Sequence, residues 1–193
     1  MILSGGKKNK FHQYEEDISL VIVTRCYVLL FEKIDDDDGI IYFGVKSDTW
    51  KEYPGMPCLF GGRQNIREND KQTIIRELKE ESKGTFVMTA SANLFRSFSN
   101  YKFYWAFHSH GPIGDLHAGP GDELKDIIGV SALHLKKYAK NRNTLAEHLI
   151  SLTGGKTTSG GAKNFLNSHT LEAIQYWLTN IFPTICPGIK VWP

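Results

Sequence analysis

From Tyr101 to His108 the chain alternates without a break: Tyr101, Phe103, Trp105 and Phe107 on one side, Lys102, Tyr104, Ala106 and His108 on the other. A period of two marks a half-buried strand, and its aromatic face reads as core packing ahead of a stacking surface for a ring. A longer β-rich run covers 18–33, ISLVIVTRCYVLLFEK. Asp35 to Gly39 (DDDDG) then turns the chain into Ile40-Ile41-Tyr42-Phe43-Gly44-Val45. The two runs predict a hairpin with the four aspartates at a solvated tip. The period changes in Lys71 to Lys83, KQTIIRELKEESK, where Ile74, Ile75 and Leu78 suit the buried side of a helix. Ser131 to Tyr138 predicts another helix. Thr144 and Glu147 form a capping box for a third, ending at Gly154-Gly155. His169 to Phe182 predicts a last amphipathic helix, its stripe made of Leu171, Ile174, Trp177, Leu178 and Ile181. Thr153 to Ala162 (TGGKTTSGGA) is a linker. Its Gly155-Lys156-Thr157 is no phosphate loop, because position 150 is isoleucine and no strand precedes it.

The charged side of the Lys71–Lys83 helix carries candidate chemistry. Glu77, Glu80 and Glu81 stand at i, i+3 and i+4, so a helix puts their carboxylates on one face. Arg76 alone is too little positive charge to neutralise them, and Lys79 points elsewhere on the wheel. Hard divalent cations take oxygen ligands and bind through one or two carboxylates plus substrate phosphates. Such a cluster reads as a metal platform for phosphate chemistry, against the blander reading of a solvated helix laced with ion pairs.

Upstream spacing decides between the two. Gly62 is followed after five residues by Glu68 and, after seven more, by Arg76-Glu77-Leu78-Lys79-Glu80-Glu81. This is G-x5-E-x7-R-E-U-x-E-E, U being a bulky aliphatic, and a chance match is on the order of one in a million for a chain of ordinary composition. The stretch resembles the signature of the Nudix (MutT-like) pyrophosphohydrolases. The resemblance implies an α/β fold: a Nudix-type α/β/α sandwich with a mixed sheet, here with extra C-terminal helices. It implies that Glu77, Glu80 and Glu81 bind Mg²⁺ or Mn²⁺, joined by the carbonyl of Gly61. Arg76 and Glu68 would brace the loop against the helix beside Gly62, and Glu77 or a carboxylate from outside the box would act as general base. Residues Glu123 to Ser131 resemble the late strand of such domains, with Gly129 where relatives carry an aromatic, and Glu123 is the candidate for that outside carboxylate, with Asp122 in reserve. Arg63 and Arg96 are candidate phosphate contacts.

The match departs from the family in two places. Phe60 stands where many relatives have proline. The helix exit, usually E-E-x-G, runs Glu81-Ser82-Lys83-Gly84, so the glycine arrives one residue late. Either Lys83 takes the left-handed conformation that glycine favours, or the helix runs one residue longer and Gly84 caps it.

Composition narrows the rest. The 193 residues are 41% hydrophobic and 23% charged, values of a globular chain with a sizeable core. A formal charge of +2 is too small to argue for a nucleic-acid polymer as partner, and no segment reaches the length of a membrane span. Three cysteines, Cys26, Cys58 and Cys186, without metal-binding spacing suit a reducing compartment, so the expectation is cytoplasmic. The expected organisation is a loose basic stretch over 1–15, a Nudix domain over 16–136, and a helical extension over 137–193 packed on it. The expected activity is metal-dependent hydrolysis of the pyrophosphate in a nucleoside diphosphate linked to another group: ADP-ribose, a dinucleoside polyphosphate or a nucleotide sugar. The alternative is a catalytically weak or inactive Nudix-fold nucleotide sensor or protein-interaction module. A homodimer is a further expectation, since dimers are common among such proteins.

Overall fold

Strand β1 (Arg25–Lys33) separates the two cores of the protein by its own alternation. In the computed structural model, which describes residues 23–49, 54–88, 91–107, 122–154 and 168–188, Cys26, Val28 and Leu30 enter one buried cluster. Leu29 and Phe31 enter the other, with Tyr27 packed against it. Successive side chains of a strand point to opposite faces, so a sheet buried on both sides reads as a nearly continuous apolar run. The basic stretch at 1–15, His108, and the linker from Gly155 onward lie outside the described residues.

The sheet has seven strands and is mixed. Besides β1 it contains β2 (Gly39–Lys46), β3 (Pro57–Cys58), β4 (Phe60–Arg63), β5 (Asn93–Phe98), β6 (Tyr101–Phe107) and β7 (Leu124–Ser131). β1 and β6 run parallel, Tyr27 beside Phe103. Along its other edge β1 is shared, pairing antiparallel with β4 through Arg25–Val28 and with β2 through Leu30–Lys33. β7 lies against β2 over nearly the whole of its length. The predicted hairpin over DDDDG is present, but its tip does more than meet solvent. Asp38 accepts from Ser131 Oγ at 2.5 Å and from Leu133 N at 2.9 Å, tying the turn to the end of β7.

Helix α1 (Asp70–Glu81) covers the first face of the sheet, burying Thr73, Ile74 and Leu78. Ile75 is 45% exposed, contrary to expectation, because one residue past Ile74 the helix has turned about 100° away from the sheet. On the opposite face lie α2 (Ala132–Lys136), α3 (Arg142–Thr153), α4 (Ser168–Tyr176), a π-helical segment Trp177–Ile181 and α5 (Phe182–Ile185). Leu145, Leu149, Ile174, Trp177 and Phe182 bury into the same cluster as Phe31, Ile41, Phe43 and Phe103. The result is an α/β/α sandwich with additional helices at the C-terminal end. Helix α3 begins earlier than the Thr144 box predicts: Asn141 is the cap, its side chain accepting from Asn143 N and Thr144 N. Asparagine is at least as good a cap as threonine, and here it is Asn141 that bonds the free amides of the first turn. Among the described residues no helix is long and apolar enough to cross a membrane.

Candidate active site

The site forms where β4 meets α1. At Gly61 the backbone has φ +142°, and a Cβ there would meet Cys26 O at 2.1 Å. Only glycine lets β4 lie this close to β1. The N–H of Gly61 donates to Glu81 Oε2 at 2.7 Å, so strand and helix exit are joined by a carboxylate. Gly62 follows, its open face against Glu77.

Between β4 and α1 the chain is pinned by Glu68. Its carboxylate accepts from Arg76 Nε at 2.7 Å and Nη2 at 3.1 Å, from Asn65 N at 3.0 Å and from Thr73 Oγ1 at 3.1 Å. The Arg76 guanidinium, with these backbone and side-chain donors, holds its pKa down at about 2. Helix α1 starts on a reciprocal capping box of Asn69 and Gln72. Asp70 in the first turn is held by Lys102 at 2.7 Å and by the Tyr104 hydroxyl. Burial pushes its pKa up, but these donors outweigh burial and leave it lowered. The polar side of the alternating strand β6 thus anchors the helix that carries the glutamates.

Arg76 also reaches the box carboxylates. Its Nη1 lies 3.0 Å from Glu77 Oε1 and 3.1 Å from Glu80 Oε2, while Nη2 donates to Arg63 O at 2.9 Å. One guanidinium therefore serves Glu68, Glu77 and Glu80, which is more neutralisation than its place in the sequence indicates. Burial raises the Glu77 pKa, with Arg76 opposing. Glu81 is half-buried as a residue, yet its carboxyl is crowded by protein atoms. That desolvation pushes its pKa up to about 8, opposed by Lys46 and the Gly61 N–H.

A small cavity of about 140 Å³ is lined by Glu77, Glu80, Glu81, Asp122, Glu123 and Lys83, above Leu124. The structure thus brings three box glutamates together with both candidates from the loop before β7. Glu123 pairs with Lys46 at the end of β2, and Asp122 pairs with Lys83. Lys46 has no motif to announce it: its place depends on the register of β2 against β7, where Lys46 faces Leu124. Arg63 is exposed and offers its carbonyl to Arg76. Arg96 sits elsewhere. Its guanidinium lies 3.3 Å from Glu172 and 4.4 Å from the centre of the Tyr176 ring, so it fastens β5 to α4 and is not placed to contact a phosphate at this pocket.

The helix exit resolves the alternative left by the late glycine. α1 ends at Glu81 with Ser82 as cap, and Lys83 takes the left-handed conformation at φ +52°. Gly84 follows at φ +77°, its N–H bonding to Lys79 O at 2.9 Å.

The acceptors around the pocket are carboxylate oxygens, the chemistry of Mg²⁺ or Mn²⁺ sites. Desolvated Glu81, with its proton affinity raised among four other carboxylates, suits a dication as counter-charge. As the side chains stand, Glu77 and Glu80 are turned onto Arg76, and among the described residues no three His, Cys, Asp or Glu side chains converge in ligand geometry. Glu80, with a side chain 59% exposed, has room to rotate toward the pocket.

No protein-family model and no curated protein matches the chain. Solved structures do. A MutT/nudix family protein from Enterococcus faecalis is similar at 17% identity, over 68% of this chain and 47% of that one, with a TM-score of 0.45. A Nudix hydrolase from M. smegmatis is similar at 12% identity, over 83% of this chain and 88% of that one, with a TM-score of 0.47. The NUDIX domain of Shewanella oneidensis NrtR, solved with ADP-ribose, is similar at 18% identity, over 55% of this chain and 71% of that one, with a TM-score of 0.40. The match spans less than half the length of the Enterococcus protein. The chain is similar to MutT/Nudix proteins at low identity, and its own sheet and two cores define the sandwich described above.

Proposed function

We propose that this chain is a Nudix-type hydrolase that cleaves the pyrophosphate of a nucleoside diphosphate linked to a second group, using Mg²⁺ or Mn²⁺. The observation that carries the reading is the meeting of Glu77, Glu80 and Glu81 with Glu123 in one small pocket beside Gly61. The candidate substrates are ADP-ribose, dinucleoside polyphosphates and nucleotide sugars, whose pyrophosphate would meet the carboxylate pocket, and the near-neutral charge favours them over more highly anionic substrates.

Glu77, Glu80 and Glu81 would hold the metal, with the Gly61 carbonyl as a further ligand. When bound, the metal supplies a lowered pKa for the attacking water and neutralises charge on the pyrophosphate oxygens. Glu123 is the candidate to take the proton of that water, and Lys46 beside it keeps its carboxylate in place. Arg76 and Glu68 fix the angle between loop and helix, which orients Glu77 and Glu80.

A second reading, a nucleotide sensor without turnover, is favoured by three ion pairs that engage carboxylates of the pocket: Arg76 with Glu77 and with Glu80, and Lys83 with Asp122. One screen separates them. Phosphate release is measured with Mg²⁺ or Mn²⁺ across a nucleotide panel for the native chain, Glu80→Gln and Glu81→Gln. Turnover of one substrate class, lost in both variants, supports the hydrolase. Binding without turnover supports the sensor.

A further inference from the structure

Lys83 stands where two cavities meet. It lines the carboxylate pocket, and it also lines an open groove along the outer side of α1 with Arg76, Lys79 and Glu80. Its backbone is in the left-handed region, where a side chain with a Cβ is disfavoured. Gly84 next door has φ +77°, and a Cβ there would meet open space, so the chain sets a lysine at one left-handed position and a glycine at the next. Strain of this kind persists where the surrounding structure holds it, often at ligand sites. The side chain that results spans from the helix exit to Asp122, across the mouth of a pocket walled by carboxylates.

A substrate's phosphates are repelled by that wall. A metal ion offsets the repulsion inside, but a phosphate at the mouth needs a cation there. Lys83 is an ammonium at that mouth, and lysine binds phosphate as a point charge that needs no fixed geometry. Resting on the pyrophosphohydrolase reading, we propose that Lys83 is a substrate-binding residue: its ammonium exchanges Asp122 for a phosphate oxygen of the substrate as the pyrophosphate enters. Lys79 lines the same groove beyond it.

The test is calorimetric titration of inorganic pyrophosphate with Mg²⁺ into the full chain, for native protein, Lys83→Gly, Lys83→Gln and Asp122→Asn. Thermal melting is recorded alongside. Lys83→Gly is expected to melt no lower than native, since glycine takes this φ without strain, and to bind about tenfold more weakly, the loss of one charge-assisted hydrogen bond. Lys83→Gln is the second variant should glycine loosen the exit, and the same weakening is expected. Asp122→Asn is expected to bind at least as tightly as native, because a carboxylate that competes with phosphate for the ammonium is removed. Equal affinity in native and both Lys83 variants overturns the proposal, as does equal weakening in Asp122→Asn, which marks a mere tether. Native protein that binds pyrophosphate but turns over no nucleotide overturns the hydrolase reading alone, and a tenfold loss in Lys83→Gly then still upholds the contact. Native protein that neither binds nor turns over overturns both.

Discussion

The carboxylate of Glu77 rests on the bare face of Gly62: a Cβ built at that glycine would meet Glu77 Oε1 at 2.5 Å and its Cδ at 2.7 Å. The box glycine is therefore a space requirement of the glutamate, imposed by how closely β4 approaches α1. Gly62→Ala is expected to keep the fold, since only the end of one side chain must move. On the proposed hydrolase reading, with Glu77 holding the metal, it is expected to lower turnover about 10- to 100-fold, the usual effect of disturbing the support of a metal ligand. Circular dichroism and the phosphate-release assay on the same sample check both halves. An alanine variant with native turnover would mean that Glu77 need not occupy this position.

Arg76 holds two bonds to Glu68, one each to Glu77 and Glu80, and one to Arg63 O. Lysine keeps the charge but lacks the planar fork that reaches several acceptors at once. Arg76→Ala is expected to lower the urea midpoint and to cut turnover about 10- to 100-fold through loss of carboxylate positioning. Arg76→Lys should fall between alanine and native in both measurements. Lysine restoring full activity would show that charge alone suffices and the bracing geometry does not matter.

How much of the fold and site is legible in the sequence depends on chain distance. The glutamates, Arg76 and Glu68 lie within one short stretch, so helical spacing and a local loop bring them together wherever the stretch folds. Lys46 and Glu123 meet only through the pairing of β2 with β7, which no local pattern encodes. Arg96 shows the converse: strand alternation tells which way a side chain faces but not which helix covers that face, and α4 with Glu172 and Tyr176 covers this one. Ile75 reads as buried beside Ile74, yet one step of helix rotates it off the sheet. At the helix exit the sequence permits both outcomes, because Gly84 next to Lys83 can also take a left-handed conformation and local spacing does not say which residue closes the helix.

Acid should weaken the fold through two carboxylates near the start of α1. Glu68 is held at about 2 by Arg76 and its neighbours, and Asp70 is lowered by Lys102 and Tyr104 despite burial. A group with a depressed folded pKa stabilises above its unfolded pKa, here near the ordinary value of 4.5 for Glu68, and loses that contribution as pH falls toward 2. The urea midpoint is expected to drop between about pH 5 and pH 2. Glu68→Gln should start lower at pH 7 and fall less steeply across that window. Parallel curves for native and variant would show that Glu68 is not the group responsible.

Whether the helices after 137 fold as one unit with the sheet turns on Trp177. Trp177 is fully buried, with its ring 5.1 Å from Phe31 of β1 and 5.7 Å from Phe182, so the C-terminal helices and the central strand share one core. Truncating such a residue leaves a cavity as well as losing its transfer free energy. Trp177→Ala is therefore expected to destabilise the whole chain by about 3–5 kcal/mol. Because the box helix packs on the other face of that same strand through Ile74 and Leu78, unfolding should remain a single transition seen equally by tryptophan fluorescence and by loss of activity. A two-step melt in which the activity-bearing half outlives the C-terminal helices would show instead that residues after 137 form a separable addition.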